Sequence, residues 1–157
     1  MGYYHVAQIC LNGHIINSMY DAYPEFNQNF CDKCGVRTIT ECPHCNSNIK
    51  GYYEGSFKFM KHTPSYCFNC GNPYPWTESA LKSAQELLEL EGVLSKEDLD
   101  YFNENKSSLI ADTPNSKVVA TKLKLFISKV SSSTGSVLKD IIVDVASESV
   151  KKIILGS

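Results

Sequence analysis

The pattern of apolar and polar positions in this 157-residue chain changes period near residue 76. Before that point the apolar residues come in short runs rich in aromatic and β-branched side chains, which is the composition of strands. Tyr3 to Ile9 is one such run and Ile15 to Tyr20 is another, so a hairpin is expected with Cys10 and His14 at its tip. Asp21 to Asn29, with Pro24 and three consecutive amide side chains, reads as a loop. Val36 to Thr40 predicts a short strand. Phe57 and Phe59 on either side of Lys58 alternate with the period of two that predicts another.

Beyond Asn72-Pro73-Tyr74-Pro75-Trp76-Thr77 the period becomes helical. The two prolines hold an extended path, and Trp76, the only tryptophan, is expected as a wedge between the two parts. Thr77 is placed to cap a helix through Leu81, Ala84, Leu87 and Leu88 that Gly92 ends. Ser95 starts a second helix, with Asp98 completing the cap and Leu94 able to pack on Leu99. Thr113 and Pro114 announce a third, with Val118, Val119, Leu123, Phe126, Ile127 and Val130 at helical spacing. Ser131 to Gly135 reads as a flexible joint before a last helix from about Ser136 to Leu155, striped by Leu138, Ile141, Ile142, Val145, Val150, Ile153 and Ile154. Its β-branched residues weaken intrinsic helicity, so packing must hold it.

The cysteines change this picture most. All seven lie between residues 10 and 70, and six form three C-x-x-C pairs: Cys31 with Cys34, Cys42 with Cys45, and Cys67 with Cys70. The seventh, Cys10, has His14 four residues on. That gives eight soft donors in four pairs, enough to fill two closed tetrahedral zinc sites. A glycine after the second cysteine eases the tight backbone knuckle, and Gly35 and Gly71 stand there, with Gly13 inside the first pair. A redox dithiol would explain one pair and not four, and an iron–sulfur cluster suits the histidine-containing set poorly. Disulfides need an oxidising compartment, whereas the start Met-Gly-Tyr-Tyr-His lacks the pattern of a secretory signal; a reducing cytoplasm is the expected setting.

The reading is therefore two structural Zn2+ ions held by Cys10, His14, Cys31, Cys34, Cys42, Cys45, Cys67 and Cys70. Four pairs allow a sequential or a cross-braced assignment. The gaps from His14 to Cys31 and from Cys45 to Cys67 each accommodate a returning strand, and only seven residues separate Cys34 from Cys42, which favours the sequential one. His44, between two cysteines of a knuckle, is expected at the surface. His5 and His62 have no carboxylate or cysteine at ligand spacing in the sequence and are expected to be structural or solvated.

Composition adds bounds. A hydrophobic share of 43% is ordinary for a globular protein, so a core is expected, and no apolar run approaches the roughly 20 residues that span a bilayer. The net charge of −2 is unevenly spread. Residues 1–76 balance five basic against five acidic side chains, residues 78–112 carry nine acids against three lysines, and residues 113–157 carry seven lysines against three acids. Between Ile49 and Tyr66, Lys50, Lys58 and Lys61 interleave with aromatics, as in a single-stranded nucleic-acid binder. The stronger reading is solubility, because a small ribbon packs its aromatics over the metal knuckles. No phosphate-binding glycine loop and no H-E-x-x-H helix occur, and every plausible ligand is consumed in fours, so no enzyme is expected.

Cys10-Leu-Asn-Gly-His14, Cys31-Asp-Lys-Cys34-Gly35, Cys42-Pro-His-Cys45, and Tyr66-Cys67-Phe-Asn-Cys70-Gly71 leading to Pro73-Tyr74-Pro75-Trp76-Thr77 together resemble an uncharacterised bacterial zinc-ribbon family, a domain of unknown function. The resemblance covers most of the chain and supports the ligands without implying a reaction. The expected fold is α+β: a small β-rich double zinc ribbon over residues 1–76, then a separate helical domain of about four helices over 77–157, possible as two helical hairpins. The expected role is a binding or adaptor protein whose C-terminal helices take a protein partner or a second copy. The alternative is nucleic-acid binding through Lys50, Lys58 and Lys61.

Overall fold

A computed structural model describes residues 2–156, and the chain divides into two compact units, Met1–Glu78 and Ser79–Ser157. The fold is α+β. In the first unit, strands β1 (Tyr4–Val6), β2 (Gln8–Cys10), β3 (Ile15–Asn17), β4 (Thr38–Ile39) and β5 (Lys50–Tyr53) form two antiparallel sheets. One sheet pairs β1 with β5; the other has the order β3-β2-β4. The run from Tyr3 to Ile9 thus serves both sheets, since Ala7 leaves the ladder and its N–H donates to the Ile49 carbonyl at 2.8 Å.

Two buried amides fasten the long loop to these strands. The Gln8 side chain donates to the Gln28 carbonyl at 2.7 Å and accepts from the Gln28 N–H at 3.1 Å. Asn17 donates to the Tyr23 carbonyl at 2.9 Å and to Asn27 Oδ1 at 2.7 Å. A buried amide without such partners would be costly, so these bonds fix the path of residues 20–29 toward Cys31. The core of this unit is small: Ala7, Ile9, Ile49, Tyr74 and Trp76, together with the thiols of Cys42 and Cys67.

The second unit holds most of α1 (Pro75–Glu91), then α2 (Lys96–Asn105), α3 (Ser116–Lys129), α4 (Ser132–Val145) and α5 (Glu148–Leu155). Its core joins Ala84 and Leu88 of α1, Phe102 of α2, Val119, Leu123 and Phe126 of α3, Leu138 and Ile142 of α4, and Val150 and Ile154 of α5. Gly92, at φ +66°, ends α1 as the pattern predicts. Ser95 caps α2 by accepting from the Asp98 N–H at 3.1 Å. Acidic α2 meets basic α3 in one ion pair, Lys129 Nζ to Asp98 Oδ2 at 3.4 Å.

Several expectations are corrected. The last predicted helix is two, so that five α-helices lie among the described residues. Ala146 and Ser147 are extended, with ψ of 154° and 161°, and the Ser147 N–H donates to the Leu109 carbonyl at 3.2 Å instead of continuing the helix. Ser131 to Gly135 is no flexible joint: Ser131 caps α4 by accepting from the Thr134 N–H, and Gly135 lies buried within that helix. Thr77 is no cap either. Helix α1 starts earlier, at Pro75, and the Thr77 hydroxyl donates to the Ser65 carbonyl at 2.9 Å. Phe57 and Phe59 are on no strand; their alternation finds no pairing partner, and both rings are exposed. Trp76 is buried in the core of the first unit, where its ring stacks on Tyr74 at 4.8 Å between centroids.

Candidate metal centres

Each C-x-x-C pair sits in the same backbone device. The first cysteine's N–H donates to the carbonyl five residues on, from Cys31 to Val36 at 2.8 Å, from Cys42 to Ser47 at 2.8 Å and from Cys67 to Asn72 at 2.9 Å. Its carbonyl in turn accepts from the N–H four residues on, that of Gly35, Asn46 or Gly71. Those three residues have φ of +77°, +62° and +77°, the left-handed conformation that a knuckle needs and that glycine adopts most easily. Cys10 and His14 belong to a different turn, at the tip of the β2–β3 hairpin, with the Gly13 N–H donating to the Cys10 carbonyl at 2.9 Å and the Cys10 N–H to the His14 carbonyl at 3.0 Å.

These turns gather the donors into two quartets, Cys10-His14-Cys31-Cys34 and Cys42-Cys45-Cys67-Cys70, in each of which all ligand atoms lie within 4.8 Å of one another. This is the sequential grouping. The distances test whether a metal ion fits. Sulfurs at the corners of a tetrahedron around zinc stand about 3.8 Å apart, and a sulfur and an imidazole nitrogen about 3.5 Å apart, given bond lengths of about 2.3 and 2.0–2.1 Å. Cys10 Sγ to Cys34 Sγ is 3.7 Å, Cys42 Sγ to Cys70 Sγ is 3.7 Å and Cys45 Sγ to Cys67 Sγ is 3.6 Å. His14 Nδ1 lies 3.4 Å from Cys10 Sγ and 3.5 Å from Cys31 Sγ. All seven cysteines are free thiols, so the gathering is not the work of disulfides.

Backbone and amide N–H groups supply the surrounding layer. The His14 N–H points at Cys10 Sγ at 3.3 Å, the Lys33 N–H at Cys31 Sγ at 3.4 Å and the Asn69 N–H at Cys67 Sγ at 3.4 Å; Asn69 Nδ2 reaches Cys45 Sγ at 3.5 Å and Asn72 Nδ2 reaches Cys70 Sγ at 3.4 Å. Such donors favour thiolate. Two thiols feel this most: the N–H of Val36 holds Cys34 at about 6, and the Ser47 hydroxyl with the Asn69 amide holds Cys45 at about 6. Burial acts the other way on two of the buried thiols, pushing Cys42 up to about 11 and Cys10 above its ordinary value. A divalent cation at the centre of each quartet would offset that burial cost, because thiolates bound to a metal are deprotonated outright.

The other residues singled out in the sequence are scattered. His44 and His62 are both exposed, and neither belongs to a quartet. Lys50 lies on β5, whereas Lys58 and Lys61 lie in the following loop, so the three share no single element. His5 is the residue the sequence hid. It is buried, with Nδ1 3.0 Å from Asp21 Oδ2 and Nε2 2.6 Å from Glu54 Oε2. The Glu54 hydrogen bond raises its pKa, against the effect of burial and with help from Asp21. Those partners stand 16 and 49 residues away, so no local spacing announces them.

Compared with known proteins, the model of a family described as an uncharacterized protein conserved in bacteria (DUF2321) matches residues 3–154. No curated protein and no solved structure matches the chain. No helix among the described residues is long and apolar enough to cross a membrane.

Proposed function

The chain belongs to this bacterial family, and from that membership and the two quartets we propose a zinc-stabilised binding protein that acts as an adaptor in a reducing compartment such as the cytoplasm. The observation that carries the reading is the match between the donor spacings of 3.4–3.7 Å and the edges of a tetrahedron built on zinc. Cys10, His14, Cys31 and Cys34 would hold one ion, and Cys42, Cys45, Cys67 and Cys70 the other. Bound zinc supplies cross-links where the core is small. Each quartet has its four donors, the composition of a structural site rather than one that keeps a position for water. The knuckles hold their thiols in place, and the Asn69 and Asn72 amides orient them.

The two-part organisation, a ribbon over residues 1–76 and helices over 77–157, divides the labour in this reading. The helical unit is the part that takes a protein partner or a second copy. In its support, Val118 and Leu125 of α3, seven residues apart and so on one side of the helix, are 59% and 56% exposed. Elemental analysis of purified protein, with sedimentation of the wild type and of a Val118→Glu/Leu125→Glu variant, tests both parts. About two zinc ions per chain are expected, with loss of self-association or of captured partner in the variant. A ratio near one, or association unchanged by both glutamates, overturns the corresponding part.

A second reading, nucleic-acid binding through Lys50, Lys58 and Lys61, is favoured by one observation. The loop that carries Lys58 and Lys61 also presents Phe57 and Phe59 with their rings exposed. Retention on single-stranded DNA or RNA that falls with salt supports it, and retention unchanged by alanine at all three lysines counts against it.

A further inference from the structure

The sheet formed by β1 and β5 has two unlike sides. On one, His5 is buried against Asp21 and Glu54. On the other, Tyr4 and Tyr53 are cross-strand partners whose ring centroids are 4.8 Å apart, and Lys50 extends its Nζ to 4.6 Å from the Tyr4 centroid and 4.2 Å from that of Phe68. A bulge creates this alignment. Two steps along β1, from Tyr4 to Val6, oppose three along β5, from Tyr53 to Lys50, so Lys50 and Tyr53 both side with Tyr4 although strict alternation would separate them. Phe68, the residue after Cys67, reaches the same place from the last knuckle.

Three rings and an ammonium therefore converge on one face, and the rings stay open: Tyr4 is 52%, Tyr53 41% and Phe68 60% exposed. The charge of this face is one-sided as well. Glu54, the only acid in residues 2–10 and 49–55, is bonded to His5 on the opposite side. Open aromatic faces beside an uncompensated ammonium are what a strand of unpaired nucleotides requires, with bases on the rings and phosphate on the cation. An exposed ammonium over a ring is held weakly, whereas a stacked base is held more strongly, so a base can take the ring face and release Lys50 to a phosphate. Paired bases offer no free faces.

We propose that Tyr4, Tyr53, Phe68 and Lys50 form a docking face for single-stranded nucleic acid. The proposal rests on the second reading above and moves its centre from the Lys58–Lys61 loop to the sheet. Fluorescence anisotropy of the zinc-loaded full chain with labelled oligo-dT and oligo-U of about 12 nucleotides, beside a duplex of equal length, tests it. The single strands are expected to bind at least about tenfold more tightly than the duplex, and Tyr4→Leu and Phe68→Leu each to weaken binding about tenfold at unchanged zinc content and circular dichroism. Lys50→Gln should lower the salt slope by about one, and Lys58→Ala/Lys61→Ala should stay within about twofold of wild type. If the loop variant loses binding while Tyr4→Leu and Phe68→Leu keep it, this face is wrong and the nucleic-acid reading survives. No binding of any oligonucleotide at low salt overturns both. Equal affinity for duplex, or binding to anionic phospholipid vesicles alone, overturns the proposal.

Discussion

The imidazole of His5 joins two segments far apart in the chain: Nε2 lies 2.6 Å from the Glu54 carboxylate beyond β5, on a ring that is only 3% exposed. Asp21 holds the other nitrogen at 3.0 Å, and its second oxygen accepts the Val6 N–H at 2.9 Å. A charged imidazole donates through both nitrogens, so this arrangement suits the protonated ring. Its pKa is raised above the ordinary 6.5, first by the Glu54 hydrogen bond. A raised folded value means that the stabilisation is fully present below the unfolded value and is lost as pH rises through the folded one.

His5→Gln should therefore cost about 1.5–3 kcal/mol near pH 6.5, the range for hydrogen bonds to charged groups. The gap between wild type and variant should narrow toward pH 9. Denaturant titrations across that window, with zinc content checked at each pH, measure it. A gap that widens with pH would show that the ring is held neutral.

Asn46 occupies in the middle knuckle the place that Gly35 and Gly71 occupy in the others, at φ +62°. Asparagine tolerates this conformation at some cost, and a β-branched residue does so badly. Asn46→Gly should leave stability within about 0.5 kcal/mol of wild type, since relief of strain is offset by a freer unfolded chain. Asn46→Val should cost about 1–2 kcal/mol or more and loosen the second quartet. Thermal melts with a zinc-release indicator separate the two, and a valine variant as stable as the glycine variant would remove the strain argument.

The gathering of the seven cysteines and His14 into two quartets was legible because local spacing encodes it: a C-x-x-C pair shapes its own knuckle, and the gaps between pairs set which hairpins close. Helices α1 to α3 were legible from apolar period and, for α2, from the Ser95 cap. What escaped depends on contacts distant in sequence. His5 finds acids 16 and 49 residues away, and Thr77, whose type suits a cap, is claimed instead by the Ser65 carbonyl. The break between α4 and α5 rests on the Leu109 carbonyl, invisible in an apolar stripe that continues through it. Phe57 and Phe59 show the converse, an alternating pattern with no neighbouring strand to pair with.

Two glycines with ordinary φ give opposite expectations. A Cβ at Gly51 on β5 would fall 2.2 Å from the Ser18 carbonyl oxygen and 3.0 Å from the Ala7 nitrogen, both backbone atoms that cannot swing away. Gly51→Ala should disrupt the packing of β5 and cost at least about 3 kcal/mol, beyond ordinary overpacking. In α4, a Cβ at Gly135 would meet Ile127 Cγ2 at 3.4 Å, an ordinary contact with a side chain. Gly135→Ala should gain up to about 1 kcal/mol from helix propensity. Paired denaturant curves decide, and a stabilised Gly51→Ala would mean that the approach of Ser18 to β5 is looser than described.

The two quartets stand differently toward the core of the first unit. Cys42 and Cys67 belong to the cluster with Ile9, Ile49, Tyr74 and Trp76, and Cys45 packs against it, whereas Cys10 and Cys31 are buried outside it. Cys34 and Cys70 are each the exposed member of their set, so serine at either position deletes a donor without opening the core. Both variants should retain about one zinc ion. Cys70→Ser should lower the melting temperature more, because the site it empties shares its walls with the apolar cluster and zinc binding is folding free energy there. A chelator acting on both sites should abolish the near-ultraviolet signal of Trp76 and Tyr74 while part of the helical signal at 222 nm persists, since the core of α1 to α5 contains no thiol. Equal losses from the two serine variants would mean that each metal stabilises only its own knuckles; full loss of helix with chelation would mean that the second unit cannot stand without the first.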